Sequence, residues 1–239
     1  MISLHGRTVL ITGGSKGIGR GIATAMAAAG ARVVVNYGRD QLAADNVVEA
    51  LGGEAVAIRA DVSKAADVRR LFAEAGPVDV LVNNAAAFSF QPIEDVTERE
   101  FRRQYDTNVL GPLLAIQEFL KQAPETGGGI INVTTAGVST NSPGGALYTS
   151  TKAALTTLTR IAAKEFGARG IRVNAIAPGA TDTEGARGLG ALDAPGLAAR
   201  IPLGRVGRPE DIAPVAVFLA SDDACWITGE VVHASGGFR

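Results

Sequence analysis

The sequence predicts a doubly wound α/β domain, in which helices cover both faces of a seven-stranded parallel sheet. Short apolar segments alternate with longer amphipathic or Ala-rich segments along all 239 residues. The short segments are apolar at nearly every position, which is typical of strands buried on both faces. Strands that alternate with helices through right-handed crossovers produce this architecture. Seven strands occupy the whole length, so we predict a single domain over residues 1–239.

The predicted elements follow one another without a linker. The strands are Thr8–Thr12, Arg32–Asn36, Ala55–Arg59, Val78–Val82, Ile130–Thr134, Arg172–Ala177 and Glu230–Ala234. The helices are Gly17–Ala29, Gln41–Leu51, Ala65–Glu74, Glu98–Lys121, Tyr148–Phe166 and Pro209–Leu219. Two irregular segments, Ala86–Val96 and Gly179–Pro202, each follow a strand, and open α/β sheets bind ligands beyond the carboxyl ends of their strands. We therefore expect both segments to border the site, with residues 180–202 as a substrate loop.

Composition excludes several classes of protein. Twenty-three Lys and Arg balance 24 Asp and Glu, which argues against nucleic acid or an anionic membrane as the main partner. One cysteine excludes an internal disulfide, and with only two histidines we expect no metal site. The N-terminus has no charged leader before an apolar core, and no apolar run reaches the ~18–20 residues of a membrane span, so we expect a cytoplasmic protein.

Glycine is the one excess, with 30 residues, about 13% against a usual ~7%. Several glycines follow the first strand in the segment Thr12–Gly19, directly before an Ala-rich helix. Glycines let the backbone approach a pyrophosphate, which the N–H groups at the helix start can bind. The alternative is a tight turn with a structural role alone. The predicted dinucleotide-binding residues of this loop are Gly13, Ser15, Lys16, Gly17, Ile18 and Gly19.

The end of the second strand bears on the choice of cofactor. Its residues are Asn36-Tyr37-Gly38-Arg39, where an NAD site would carry Asp or Glu on the ribose hydroxyls. Asn36 does not repel a 2′-phosphate, and Arg39 and Lys16 could pair with one. We therefore expect NADP(H) to be preferred over NAD(H), with all four residues at the site. Alternatively, Arg39 belongs to an exposed loop.

Two further turns follow the third and fourth strands. Asp61-Val62 could accept a hydrogen bond from an adenine amino group, and Asn83–Ala86 could support the loop over the cofactor. Ordinary turn residues would account for both segments equally well. The predicted cofactor-binding residues here are Asp61, Val62, Asn84, Ala85 and Ala86.

Tyr148 and Lys152 are four residues apart at the start of a predicted helix, so both lie on one face. The chain has three Tyr and five Lys, for which a chance Tyr-x-x-x-Lys pair is expected only ~0.06 times. The alternative is a surface tyrosine packed on a lysine stem. We predict this pair as the catalytic centre.

The chain resembles the short-chain dehydrogenase/reductase family in the order and spacing of its motifs, which are Thr12–Gly19, Asn83–Ala86, Asn108, Tyr148-x-x-x-Lys152 and Pro178-Gly179. The resemblance covers essentially the whole chain, including the tail Ile227–Gly237, and is strongest to 3-oxoacyl-[acyl carrier protein] reductases. The stretch Val33–Gly38 also resembles NADPH-dependent ketone reductases such as naphthol reductases. A Rossmann-type fold is implied.

The resemblance also implies residue roles. Tyr148 would donate its phenolic proton to a substrate carbonyl, and Lys152 would favour the phenolate and hydrogen-bond the nicotinamide ribose. Asn108 would hold a water in a proton relay to Lys152; alternatively, it is an internal polar residue of a helix. At the position of the substrate-orienting serine stands Thr135, which keeps the hydroxyl and adds a methyl. Thr134 and Ser139 are weaker candidates, and Ala86 stands where the family more often has Gly.

After the sixth strand, the family's turn contacts the nicotinamide carboxamide. The matching candidates are Pro178, Gly179, Thr181 and Thr183. The substrate loop that follows contains no aromatic residue, so we expect Phe88 and Phe90, on the other irregular segment, to supply an apolar wall.

The leading interpretation is an NADPH-dependent oxidoreductase that reduces a 3-oxoacyl thioester or a similar small ketone to a secondary alcohol. One alternative is an NAD(P)-dependent dehydrogenase of a sugar, polyol or steroid alcohol. Another is a non-catalytic sensor of NADP(H), which would have no need to retain a proton relay.

Two kinds of protein partner follow from the resemblance. An acyl carrier protein would bind a basic cluster formed by Arg99, Arg102 and Arg103, unless these belong to a solvated helix face paired with acidic neighbours. A homotetramer or homodimer is also expected, with the helix 153–163 and Trp226 at an interface. Alternatively, Trp226 anchors the core.

Overall fold

The structure, a computed structural model, describes residues 2–238. Seven parallel strands form one sheet in the order β3-β2-β1-β4-β5-β6-β7, which confirms the predicted architecture. The strands are β1 (Thr8–Ile11), β2 (Arg32–Tyr37), β3 (Val56–Arg59), β4 (Val80–Asn83), β5 (Gly128–Val133), β6 (Ile171–Pro178) and β7 (Val231–Ala234). The order reverses between β1 and β4, and this reversal creates the crevice in which open α/β sheets bind ligands.

Helices cover both faces of the sheet. They are α1 (Gly17–Ala28), α2 (Gln41–Leu51), α3 (Ala65–Ala75), α4 (Glu98–Tyr105), α5 (Gly111–Gln122), α6 (Gly137–Thr140), α7 (Ala146–Phe166), α8 (Glu184–Gly188) and α9 (Pro209–Ala220). Within residues 2–238, no helix combines the length and the apolar character that a membrane crossing requires.

Successive residues of a strand point to opposite faces of the sheet and enter two separate cores. Val9 and Ile11 belong to the core that includes Ile212 of α9. Leu10, between them, belongs to the core that includes Phe119 of α5. Burial on both faces explains why the strands are apolar at consecutive positions.

One predicted helix, Glu98–Lys121, is interrupted in the structure. A five-residue π-helical turn, Asp106–Leu110, separates α4 from α5. Such turns are rare and frequently occur at functional sites. A π-helical turn adds one residue to a helix without interrupting its pattern of apolar residues. The sequence pattern therefore predicted a continuous helix. The turn carries Asn108, which is fully buried.

A chain of buried polar side chains joins the sheet to α7. Asn83 Nδ2 donates to Asn132 Oδ1 over 2.9 Å, and Asn132 Nδ2 donates to Thr159 Oγ1 over 2.8 Å. Because buried polar groups are costly when they lack a partner, this chain specifies one position of α7 on the sheet. That helix carries Tyr148 and Lys152.

Candidate active site

A cleft of about 1170 Å³ lies at the carboxyl ends of the strands. It brings together residues from segments that are far apart in sequence, including the glycine loop, the end of β5, the start of α7 and the substrate loop. All but three of the residues predicted for the site line this cleft. The exceptions are Gly19, Tyr37 and Asn108.

The glycine loop is held by the end of β4. Asn84 Nδ2 donates to the carbonyl oxygens of Thr12 and Gly13 over 2.9 and 3.0 Å. The Thr12 hydroxyl oxygen accepts from the backbone N–H groups of Asn84 and Ala85. Gly13 has a φ of +63°, a left-handed conformation that favours glycine. Thr12, which was not among the predicted site residues, therefore fixes the loop from beneath.

Gly19 acts through packing rather than through contact with the cleft. A Cβ at this position would collide with the Asn84 side chain and with the carbonyl oxygen of Gly13. Glycine here lets α1 start directly against the loop, which explains why it belongs to the motif without lining the cleft.

Of the four residues predicted at the end of β2, all except Tyr37 line the cleft. Asn36 Oδ1 accepts from the backbone N–H of Gly13 over 3.2 Å, and its Nδ2 donates to the carbonyl oxygens of Ile58 and Ala60. Asn36 thus borders the cleft while its amide holds the backbone around it. Tyr37 is only 7% exposed and packs into the protein, so the structure does not bring its side chain to the cleft.

The two cations predicted near a 2′-phosphate line the same end of the cleft. Arg39 is exposed there. Lys16 forms an ion pair of 2.5 Å with Asp40, a residue that the sequence analysis did not single out. Asp40 also begins α2, because its side chain accepts from the backbone N–H of Ala43. The positive charge at this end is therefore partly balanced by a carboxylate.

Asp61 and Val62 lie beside this region. Asp61 is exposed and its carboxylate accepts from the backbone N–H and the hydroxyl of Ser63 over 3.0 and 2.7 Å. Val62 is buried against Gly111, where a Cβ would lie 3.1 Å from the valine side chain. Both residues line the cleft, and the ordinary turn interpretation of Asp61 also describes its contacts.

The substrate loop contains one short α-helix, α8. Thr183 caps α8 by accepting from the backbone N–H of Ala186 over 3.1 Å, and the Thr181 hydroxyl donates to the carbonyl oxygen of Gly179 over 3.0 Å. Glu184 reaches back to α1, where it accepts from the backbone N–H of Gly17 over 3.2 Å. This N–H belongs to the group predicted to bind a pyrophosphate, so α8 and the glycine loop are in direct contact.

Lys152 is 2% exposed, and its Nζ donates to the carbonyl oxygen of Val133 over 2.8 Å. The same nitrogen lies 5.8 Å from the centroid of the Tyr148 ring. Burial lowers the pKa of Lys152 to about 8. Burial also raises the pKa of the Tyr148 phenol above its ordinary value, so the phenol keeps its proton at neutral pH.

The structure distinguishes between the candidates for the substrate-orienting hydroxyl. Thr135 lines the cleft, and its oxygen accepts from the backbone N–H of Gly137 over 3.1 Å, which leaves its own proton available for donation. The Thr134 hydroxyl donates instead to the carbonyl oxygen of Ile176 over 3.0 Å. Ser139 is exposed and does not line the cleft. Thr134 also lines the cleft, but of the three hydroxyls only that of Thr135 both borders the cleft and keeps its proton free to donate to a ligand.

Asn108 holds the segment that follows β4. Its Oδ1 accepts from the backbone N–H of Ala87 over 2.8 Å, and its Nδ2 donates to the carbonyl oxygen of Ala87 and to Thr151 Oγ1. None of these bonds reaches Lys152. The Asn108 side chain therefore positions the segment after β4, and the water-holding link implied by the resemblance stays a prediction.

Several residues that the motifs did not indicate also line the cleft. They come from α4, α6, the loop before α7, the end of the substrate loop and the C-terminal tail, and include Arg103, Thr140, Ser142, Arg200 and Phe238. The guanidinium of Arg200 lies 5.5 Å from the centroid of the Phe238 ring. No local sequence pattern connects these residues, because only the tertiary fold brings them to one surface.

Comparisons with known proteins agree with this geometry. The family model described as Enoyl-(Acyl carrier protein) reductase matches residues 13–239. An uncharacterised oxidoreductase of Methylorubrum extorquens is 48% identical, with 100% of both chains covered. The 3-oxoacyl-[acyl-carrier-protein] reductase FabG of Staphylococcus epidermidis is 40% identical over 97% of this chain and 98% of the relative. The hydroxynaphthalene reductase-like protein Arp2 of Metarhizium majus is 38% identical over 98% of this chain and 96% of the relative.

Solved structures give the same result. A blue fluorescent protein from a metagenomic library, in complex with NADPH, matches with a TM-score of 0.92 and 36% identity over 99% of both chains. The promiscuous reductase LugOII, described as catalysing keto-reduction at C1 during lugdunomycin biosynthesis, matches with a TM-score of 0.91 and 38% identity over 98% of both chains. The chain belongs to the short-chain dehydrogenase/reductase family, and it is an NAD(P)-dependent oxidoreductase.

Proposed function

We propose that the protein uses NADPH to reduce a ketone, either a 3-oxoacyl thioester or a similar small ketone, to a secondary alcohol. The observation that carries this proposal is that Tyr148, Lys152 and Thr135 line the same cleft, with a protonated phenol, an ammonium and an available hydroxyl. The bound dinucleotide would supply the hydride. The three side chains account for the fate of the proton and for the orientation of the substrate.

In this mechanism, Tyr148 donates its phenolic proton to the substrate oxygen as the carbonyl carbon accepts the hydride. The Thr135 hydroxyl hydrogen-bonds the same oxygen and orients it. The Lys152 ammonium stabilises the phenolate that remains. Because burial raises the pKa of Tyr148, its proton is retained at neutral pH. The protonated phenol is the form that reduction requires, whereas the oxidation of a sugar, polyol or steroid alcohol would require the phenolate as a base.

The cleft residues fit a dinucleotide. Gly13 and Gly17 adopt positive φ values of +63° and +52°, and the N–H groups at the start of α1 suit a pyrophosphate. Lys16 and Arg39 are the proposed partners of a 2′-phosphate, which is the basis for a preference for NADPH. The neighbour solved with NADPH supports this choice. Asp40, beside Lys16, weakens the preference.

An acyl carrier protein is a proposed partner, supported by the relative named as a 3-oxoacyl-[acyl-carrier-protein] reductase. The basic cluster on α4 gives this partner little support. Arg102 pairs with Glu98 and Arg103 pairs with Glu100 over 3.1 and 2.6 Å, as the alternative interpretation of a paired helix face expects. Titration with the carrier protein, compared between the wild type and a variant with all three arginines changed to Ala, tests the partnership.

Self-association into a tetramer or dimer is proposed from exposed apolar side chains. Trp226 is 96% exposed, which corrects the alternative that it anchors the core. Ala224 is buried, and the chain between it and β7 then runs over the surface. Ile161 of α7 is also 48% exposed. Aromatic residues such as Trp are enriched at protein interfaces, and light scattering at the assay concentration tests the proposal.

The deciding experiment measures NADPH consumption with acetoacetyl thioesters, diketones, quinones and keto sugars, and repeats each assay with NADH. We expect ketone reduction that is faster with NADPH. Failure to oxidise NADPH across the whole panel would overturn the proposal in favour of the sensor. Oxidation of sugar alcohols or steroid alcohols, without ketone reduction, would favour the dehydrogenase.

A further inference from the structure

Three aromatic rings stand together in the cleft. The ring centroids of Phe88 and Phe90 lie 5.8 and 6.0 Å from that of Tyr148, and 6.4 Å from each other. We call Phe88 and Phe90 the aromatic wall. Aromatic rings attract other rings in offset-stacked or edge-to-face arrangements. The wall therefore presents ring faces and edges next to the atom that would deliver the proton.

The backbone that carries the aromatic wall has no regular structure of its own. Residues 84–92 belong to no helix or strand, so no ladder of backbone hydrogen bonds determines where the rings stand. Phe90 is 49% exposed, so packing in the protein core does not determine the position of its ring. The position of the wall must depend on contacts made by other elements.

Asn108 and the Gly144 carbonyl oxygen hold Ala87 and Gln91 at the two ends of this stretch. The side chains of α4 hold the residues between those ends. The Glu100 carboxylate accepts from the Ser89 hydroxyl over 2.7 Å, from Gln104 Nε2 over 2.8 Å and from the Arg103 guanidinium over 2.6 Å. Arg103 also donates to the carbonyl oxygen of Phe88 over 3.2 Å, and Gln104 donates to the Ser89 hydroxyl over 3.0 Å. The network thus holds Phe88 and Ser89, the two residues directly before Phe90.

A second acidic residue on α4 shows that this network is specific. Glu98 and Arg102 form an ion pair that is 79% and 70% exposed, whereas the Glu100 side chain is only 18% exposed. Exposed pairs contribute little. Arg103 holds the pKa of Glu100 well below its ordinary value, at about 2, so the carboxylate stays ionised under assay conditions. Two arginines of the predicted basic cluster therefore differ. Arg102 belongs to an exposed ion pair, whereas Arg103, itself 46% exposed, binds the more buried Glu100.

The aromatic wall also contacts the substrate loop. A Cβ at Gly185 would lie 3.1 Å from Phe88 Cζ, so α8 packs on the ring with no side chain between them. Phe88 is therefore held between Tyr148 and α8. A shift of the wall would change the width of the cleft beside the proton donor.

We propose that Glu100, acting with Arg103 and Gln104, is a positioning residue that fixes the aromatic wall and thereby gives the enzyme a preference for ketones on a flat ring system over linear ketones. The inference rests on the proposed ketone reduction. The substrate class follows from the wall itself, because ring faces and edges bind a planar ring better than a flexible chain. The Glu100 carboxylate binds Ser89, Arg103 and Gln104, so it acts on the substrate only through the aromatic wall.

The test compares Glu100→Gln with Glu98→Gln, which removes a carboxylate from the same helix without touching the network. Substrates are a bicyclic aromatic ketone and a linear acetoacetyl thioester. We expect Glu100→Gln to lower kcat/KM for the bicyclic ketone by about tenfold, mainly through KM, because small displacements of positioning groups are costly. The thioester and the dissociation constant for NADPH should stay within about twofold, and Glu98→Gln should match the wild type.

The variant Ser89→Ala and hydrogen–deuterium exchange test the positioning role independently. Ser89→Ala removes only one hydroxyl of the network and should shift the same substrate ratio in the same direction. Hydrogen–deuterium exchange of the backbone amides in residues 86–91 should become faster in Glu100→Gln and stay unchanged in Glu98→Gln. Equal losses for both substrates, or unchanged exchange in Glu100→Gln, would overturn the positioning role. If the wild type reduces no ketone, the proposed function has failed, and the exchange data still decide whether Glu100 holds the wall.

Discussion

Lys152 donates a hydrogen bond from its Nζ to the carbonyl oxygen of Val133 over 2.8 Å. Val133 ends β5, two residues before Thr135, and Lys152 shares α7 with Tyr148. The ammonium therefore connects the strand that leads to the proposed substrate-orienting hydroxyl with the helix that carries the proposed proton donor. A change in its charge would affect both.

We expect kcat/KM for ketone reduction to fall as the pH rises past about 8, because burial lowers the pKa of Lys152 to about 8. Below that pH the ammonium is present, and above it the lysine becomes neutral. Burial raises the pKa of Tyr148, so the phenol stays protonated over the same range. A profile of kcat/KM from about pH 6 to about pH 10 checks this prediction.

Lys121→Met is the matched control, because Lys121 is an exposed lysine paired with Glu118. Its profile should keep the same alkaline decline, and a flat wild-type profile would contradict the assignment.

The lowered pKa of Lys152 also determines how its contribution to the free energy of unfolding changes with pH. Between about 8 and the ordinary 10.5 the unfolded chain binds more protons than the folded one, so the contribution of Lys152 to the free energy of unfolding rises with pH.

Tyr148→Phe should lower kcat by roughly 10²–10⁴-fold, because it removes the general acid. The ring remains beside Phe88 and Phe90, so the dissociation constant for NADPH should change little. Tyr105→Phe is the control, since the Tyr105 hydroxyl donates only to the exposed Ser150 over 3.2 Å. Steady-state kinetics and fluorescence titration measure the two quantities. Turnover by Tyr148→Phe at the wild-type rate would remove this residue from the mechanism.

The fold could be predicted from the sequence because burial of the strands on both faces of the sheet requires apolar residues at consecutive positions. A strand buried on both faces is apolar throughout, as in Val33–Val35, and the motif glycines mark the loop before α1. The hydrogen-bond partners of polar side chains, in contrast, cannot be predicted from any local sequence pattern. Asn36 has the position of a cofactor contact, yet its amide holds Gly13 and the backbone of the neighbouring strand. Arg103 has the pattern of a surface charge, yet it borders the cleft.

The two adjacent threonines should respond differently to loss of their hydroxyls. Thr135→Val should lower kcat by roughly 10²-fold, because it removes a hydrogen-bond donor to the substrate oxygen, whereas Thr135→Ser should retain most of the activity. Thr134→Val loses a bond to the Ile176 carbonyl, so it should lower the free energy of unfolding by about 1 kcal/mol with little effect on kcat. Kinetics and thermal melts of the three variants test this. A loss of kcat confined to Thr134→Val would transfer the role to Thr134.

Asp40→Asn should tighten NADPH binding by about twofold to fivefold while leaving NADH binding unchanged, since the pair with Lys16 is exposed and of modest strength. The carboxylate neutralises the cation proposed to bind the 2′-phosphate, and its removal frees that cation. Asn is as good a helix cap as Asp, so the bond from Ala43 N–H and the melting temperature should persist. Fluorescence titration with both dinucleotides measures the ratio.

Two companion variants make the prediction about Asp40 specific. Asp45→Asn removes a carboxylate from the exposed face of the same helix and should leave both affinities unchanged. Lys16→Ala should weaken NADPH binding and spare NADH, because only the phosphorylated ribose would contact the ammonium. If Asp40→Asn and Lys16→Ala both leave the ratio of affinities unchanged, the 2′-phosphate does not bind at this ion pair, and Arg39 alone would have to account for any preference for NADPH.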